Sequence, residues 1–180
     1  MSVVSRDPGG ALLALYDDAV GEVYAYLLSR CRNRVVAEDI TSEVFMGAVD
    51  SVSRGTDPDV SVAWLIGIAR HKLVDHWRRL EREQRRIQAV ADEPEVANRH
   101  DDPWDAHLDV LAARDALEQL GAHHRSALTL RYLDGLSVPD TAAVLGRTVH
   151  ATEALLVRAR RAFRHVYEPG DQGSGKEVRR

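Results

Sequence analysis

The sequence predicts an all-α fold made of two small helical domains joined by a flexible acidic linker, and three observations carry that prediction. Apolar residues recur at intervals of three and four along most of the chain, and no stretch sustains a period of two between hairpin turns. The periodicity lapses once, through QAVADEPEVANRHDDPWD, which carries two prolines and has the composition of a solvated linker. From Ile87 to Arg114 seven acids stand against two arginines, a local charge of −5 on a chain whose net charge is −4. The two flanks together are therefore slightly cationic, and their basic residues are bunched.

The elements follow in order. Leu12, Leu15, Tyr16, Val23, Leu27 and Leu28 form the stripe of a first helix. Ile40, Val44 and Ala48, with Phe45, Val49 and Val52 beside them, form that of a second. The breaker Gly55-Thr56-Asp57-Pro58-Asp59 precedes a third helix, whose stripe is Val62, Leu65, Ala69, Leu73, Trp77 and Leu80. These make one three-helix bundle over residues 8–86, and the linker occupies 87–105. Leu108, Leu111 and Ala112 restart a helical face, continued by Leu117 and Leu120, and a second domain of shorter helices fills 106–168. The tail, 169–180, is read as disordered.

Composition limits what such a chain does. With 180 residues and 44% hydrophobic content it has the material for one domain or two small ones. Cys31 is the one cysteine, so no internal disulfide forms, and a reducing cytoplasm is the expected compartment. Flanked by arginines in SRCRNR, it is expected to be a quiet packed thiol. The start, MSVVSRDPGGALL, lacks a basic region followed by an apolar core, and no apolar run approaches the roughly 18 residues of a membrane span, so neither export nor membrane insertion is expected. The acidic average argues against a general nucleic-acid coat, since sequence-independent affinity comes from an excess of Lys and Arg. No metal-ligand set, phosphate-binding glycine loop or nucleophile elbow is present, and the neighbours His123 and His124 do not share a helix face as paired ligands would. No enzyme, no catalytic residue and no cofactor is expected.

A mechanism is written between Gly135 and Arg164. Ser137 is a good N-cap, Asp140 three residues later closes a capping-box-like pair, and Pro139 is tolerated in the first turn. Gly146 stops this short helix, Arg147 and Thr148 form a turn, and a long helix starts near Val149. Short helix, glycine turn, long helix is the helix-turn-helix pattern, whose second helix enters a DNA major groove. Val149, Thr152, Leu156, Ala159, Phe163 and Val166 define its inward face; His150, Ala151, Ala154, Arg158 and Arg161 fall opposite. His150 and Arg158 are placed to reach bases or phosphates, with Arg160, Arg161 and Arg164 better suited to the backbone. Four arginines between Arg158 and Arg164 thus act as a local clamp on an otherwise acidic chain.

At this point both blocks resemble the extracytoplasmic-function (group IV) sigma factors of bacterial RNA polymerase. Ala37-Glu38-Asp39-Ile40 with Glu43-Val44-Phe45, and the stretch from Trp64 to Arg79, resemble the family's region 2. Leu117 onward, through Leu130-Arg131-Tyr132 and Gly135-Leu136-Ser137 to RARRAFR, resembles region 4. The resemblance implies that Glu38, Asp39, Ile40, Glu43, Val44 and Phe45 dock on the polymerase core. It implies that Asp57, Trp64, Arg70, His71, Lys72, His76, Arg78 and Arg79 capture and melt the −10 promoter element, with residues 55 to 61 forming a pocket for an unstacked base. Trp77, on the apolar stripe, is expected to be core. Around the helix-turn-helix, Arg147, Thr148, His150, Ala151, Glu153, Ala154, Arg158 and Arg161 are the implied contacts to −35 duplex DNA. Glu153 departs from the Lys or Arg usual there, Ala154 from a frequent Ser, and Leu155 from a frequent Arg. The implied partners are core polymerase and promoter DNA, with an anti-sigma protein in many relatives; a free monomer is expected. For the acidic linker two readings stand side by side, an RNA mimic in the polymerase channel or plain solubility. The alternative function is a free-standing dimeric helix-turn-helix regulator, which leaves the first block's motifs without a purpose; a helical protein-interaction module would predict no DNA recognition.

Overall fold

The computed structural model describes residues 7–55, 59–87 and 110–167, and all regular structure among them is helical. Seven α-helices occur among the described residues: α1 (Pro8–Cys31), α2 (Arg34–Ser53), α3 (Val62–Ile87), α4 (Val110–Glu118), α5 (Ala122–Leu128), α6 (Val138–Leu145) and α7 (Val149–Tyr167), with a π-helical turn, Thr129–Leu133, continuing α5. Asp57, the acidic stretch from Gln88 to Asp109 and the tail lie outside the described residues. Two compact units are present, one up to Trp77 and the other from Arg78 onward.

In the first unit, α1 begins where Asp7 caps it, the carboxylate accepting from the Gly9 and Gly10 amides at 3.1 and 3.0 Å. It ends at Arg32, a non-glycine residue in the left-handed region (φ 53°) whose N–H closes on the Leu28 carbonyl at 2.9 Å. Asn33 then caps α2, accepting from Val36 N–H at 3.1 Å, so two residues reverse the chain and α1 and α2 lie side by side. Leu12, Ala19, Val23 and Leu27 of α1 are buried with Ala37, Ile40, Val44 and Ala48 of α2 and with Leu65, Ala69, Leu73, Val74 and Trp77 of α3. Trp77 is therefore core, as its place on the stripe predicts. Tyr16 and Phe45 meet edge to face, 4.9 Å between centroids. Ile68 and Lys72 of α3 lie over Gly47 of α2, each with an atom 3.7 Å from where a Cβ would stand.

In the second unit, α5 and α7 form the main contact, with α4 and α6 against α7. Ala122, Ala127, Leu128, Leu130, Ala142, Leu145, Leu155, Leu156, Ala159 and Phe163 supply its core. Buried Thr141 and Thr152 turn their hydroxyls back to the carbonyls of Ser137 and Thr148, at 2.8 and 3.0 Å, which satisfies them within their own helices. The π turn is held by a bond from Asp134 N–H to the Thr129 carbonyl, 3.0 Å, and by Arg131, whose guanidinium donates to the Leu136 carbonyl at 2.7 Å. It delivers the chain to Gly135, at φ 68°, and so to the start of α6.

Candidate nucleic-acid interface

The turn between α6 and α7 is built by its caps. Ser137 Oγ accepts from Asp140 N–H at 3.2 Å and donates to the Asp140 carboxylate, so the pair expected from sequence forms, with the acid bonding the serine hydroxyl. Gly146, φ 62° and ψ 39°, ends α6; its own N–H reaches Ala143 and that of Arg147 reaches the Ala142 carbonyl at 3.0 Å. Any side chain at 146 would be strained in that conformation. Thr148 follows and caps α7, Oγ1 accepting from Ala151 N–H at 3.2 Å. Its hydroxyl serves the helix, while Arg147 stands exposed in the turn.

From this start α7 presents one continuous exposed face. His150, Glu153, Ala154, Arg158, Arg161 and Arg164 are exposed, at the three- and four-residue intervals that stack along a helix, and Ala151 is half-buried at its edge. The opposite side holds Thr152, Leu155, Leu156, Ala159 and Phe163 in the core. One sequence expectation changes here: Val149, on the inward stripe by periodicity, is 43% exposed in the first turn of α7. Leu155, the residue standing in place of a frequent Arg, is core. Arg160 is half-buried and donates to the Tyr132 hydroxyl at 3.1 Å, tying α7 to the π turn; its helical angle alone did not show that partner.

On α3, Ser61 receives the Trp64 amide at 3.3 Å, and Trp64 is half-buried at the head of the helix. At about 100° per residue, His71 and Arg79 share its outward side, Arg70 lies on one flank, and Lys72 and His76 on the other. The cations thus surround the helix's outer half and do not form a single strip. Lys72 reaches Glu43 of α2, Nζ to Oε2 3.7 Å, so a residue assigned to DNA and one assigned to the polymerase meet each other. Arg78, half-buried, opens the second unit.

The outward face of α2 corrects the sequence assignment most. Ile40 and Val44 are 1% and 0% exposed, because they fill the interior that α2 shares with α1, and they have no surface to offer a partner. Phe45 is half-buried against Tyr16. Glu38 is exposed but paired with Arg34 at 2.9 Å, and Asp39 is exposed. The stripe that does face outward is Val35, Asp39, Ser42, Met46 and Val49, with the three apolar members 65%, 63% and 55% exposed. By periodicity Val49 groups with the inward residues, and Met46 lies off that stripe. Their spacing with Asp39 and Ser42, at alternating intervals of four and three, is available in the sequence, but which of the two apolar stripes turns inward depends on α1.

No group of three or more metal-ligating side chains occurs among the described residues, and none of their helices is long and apolar enough to cross a membrane. Two helical units, the second carrying a capped turn and an arginine-rich outward helix, define a DNA-binding protein of the helix-turn-helix class. Comparison with known proteins narrows this. Residues 15–83 match the family model Sigma-70 region 2, and residues 111–163 match Sigma-70, region 4. ECF RNA polymerase sigma factor BldN of Streptomyces coelicolor is 34% identical over 91% of this chain and 64% of its own, so the match spans a little under two thirds of that relative. ECF RNA polymerase sigma factor SigC of Mycobacterium tuberculosis is 32% identical over 75% of this chain and 72% of its own. Among solved structures, the sigma factor RpoE of Bartonella quintana, crystallised with the anti-sigma factor NepR, is similar with a TM-score of 0.53 at 24% identity, covering 89% of this chain and 96% of that one, a likeness of fold. The chain belongs to the ECF family of RNA polymerase sigma factors.

Proposed function

We propose that this sigma factor docks on core polymerase through the outward face of α2, captures the −10 element with α3 and the segment before it, and reads −35 duplex DNA with α7. The working segments are 8–86 and 106–168, joined by the acidic stretch 87–105. The observation that carries this reading is the face of α7, where His150, Glu153, Ala154, Arg158 and Arg161 stand outward directly behind the Gly146 turn. Arg158 forms no hydrogen bond or ion pair among the described residues and is available for phosphate. Asp39, Ser42 and the apolar Val35, Met46 and Val49 give α2 the mixed composition of a protein-docking face. On α3 the supporting features are half-buried Trp64 and the surrounding cations Arg70, His71, His76 and Arg79. The protein recruits and opens, making and breaking no covalent bond, and works as a monomer in the compartment where the polymerase works, the cytoplasm. An anti-sigma protein, as in the RpoE complex, is a further partner on this reading.

In vitro transcription with purified core enzyme tests it. Start sites that depend on the added protein are expected, with at least a hundredfold loss on replacing Arg158 and Arg161 together by Glu, since two attractive phosphate contacts become repulsive. Binding of the chain alone, as a twofold assembly, to a palindromic duplex with no effect of polymerase would replace this reading with that of a free-standing regulator.

A further inference from the structure

The half of α7 nearest the turn carries no outward arginine. Between Thr148 and Arg158 its exposed polar side chains are His150 and Glu153, and Glu153 is the only acid on the helix. The Glu153 side chain is 60% exposed, and its Oε2 stands 3.9 Å from Nδ1 of His150, a side chain 97% exposed. Neither is tied to the domain interior. Exposed Ala154 and half-buried Ala151 leave both without bulky neighbours.

A carboxylate on a surface that approaches DNA is repelled by phosphate unless the DNA returns a donor. In the major groove the donors are the exocyclic amino groups of cytosine and adenine. Adenine sets the N7 acceptor beside its amino group, which opposes the second carboxylate oxygen. Cytosine has no acceptor there, and its paired guanine presents O6 and N7, both acceptors for an imidazole N–H.

We propose that Glu153 and His150 together read one C·G base pair of the upstream promoter element, Glu153 accepting from the cytosine N4 amino group and His150 donating to the guanine. The assignment rests on the reading above in which α7 enters the major groove. Arg158 and Arg161, about 8 and 12 Å further along the axis from Glu153, grip the backbone and offset the repulsion of the acid.

The test uses holoenzyme assembled from the full chain and core polymerase on a promoter library randomised across the upstream element, with the transcripts sequenced. The wild-type protein is expected to select cytosine at one position. Glu153→Gln, whose amide matches adenine N6 and N7, is expected to shift the cytosine-to-adenine ratio there by about tenfold and leave the other positions alone. His150→Ala is expected to weaken preference at the same position. Identical profiles for wild type and Glu153→Gln, or a wild-type profile with no cytosine-favoured position, overturn the assignment. The double Arg158→Glu, Arg161→Glu variant separates the two levels. If it transcribes the library with the wild-type profile, the major-groove reading itself fails; if it is inactive while Glu153→Gln leaves the profile unchanged, only the Glu153 assignment is rejected.

Discussion

Single residues here are sorted by burial more than by type. Ile40 and Met46 are both apolar residues of α2, yet one is 1% exposed and the other 63%, so one holds the helix in the core and the other stands in solvent. Arg158 and Arg160, two positions apart, differ in the same way: the first is exposed, the second half-buried and bonded to Tyr132. Ser126, 1% exposed on α5, is the converse case, a hydroxyl in the interior of the second unit with no hydrogen-bond partner among the described residues. A buried polar atom without a partner costs its desolvation and returns nothing. Ser126→Ala is therefore expected to raise stability by about 1 kcal/mol, seen as a higher urea midpoint at unchanged slope. An unchanged or lower midpoint would mean that the hydroxyl is bonded in solution.

The turns between helices in this chain are short, and the helix ends decide where they lie. Asn33 and Ser137 both cap with a side-chain oxygen, and each starts a helix directly after a sharp reversal. Ser137→Ala removes the acceptor for Asp140 N–H and the hydroxyl that the Asp140 carboxylate holds, and is expected to cost about 1 kcal/mol in chemical denaturation. Because α6 sets the angle at which the turn meets α7, the same variant is expected to weaken −35 recognition. The Ser137 cap, the Gly146 stop and the turn that follows it were legible in sequence, since each depends on residues no more than five apart. The π turn Thr129–Leu133 was not. One extra residue per turn is stabilised by Arg131 reaching Leu136 and Arg160 reaching Tyr132, the second across 28 positions, and no local pattern announces such a bond.

At the scale of the molecule, the two units carry different kinds of surface. The first offers the mixed apolar and acidic stripe of α2, the second the arginine-rich face of α7. On the proposed reading, this separation lets a chain of net charge −4 bind DNA, because attraction is local and screened beyond about 10 Å in ordinary salt. It also lets the two activities be lost separately. Met46→Asp places a charge in the middle of the α2 stripe, on a residue already in solvent. It is expected to weaken association with core polymerase by about tenfold and to leave the unfolding free energy within about 0.5 kcal/mol of wild type. Competition against the wild-type protein for core enzyme, beside a denaturation curve, measures both. Equal competition by the variant would move the docking surface elsewhere.

Periodicity, breakers and caps determined by themselves that the chain is helical, that the helix-turn-helix lies between Ser137 and α7, and that Arg158 and Arg161 point away from the core. These follow from interactions spanning a turn or two, where 3.6 residues per turn leaves little choice. Only the tertiary structure decided which apolar stripe of α2 is hidden, that Leu155 is core, and that Lys72 leans on Glu43. Each depends on which neighbouring helix arrives to cover a face, and a helix with apolar residues on more than one side does not announce which of them that neighbour will bury.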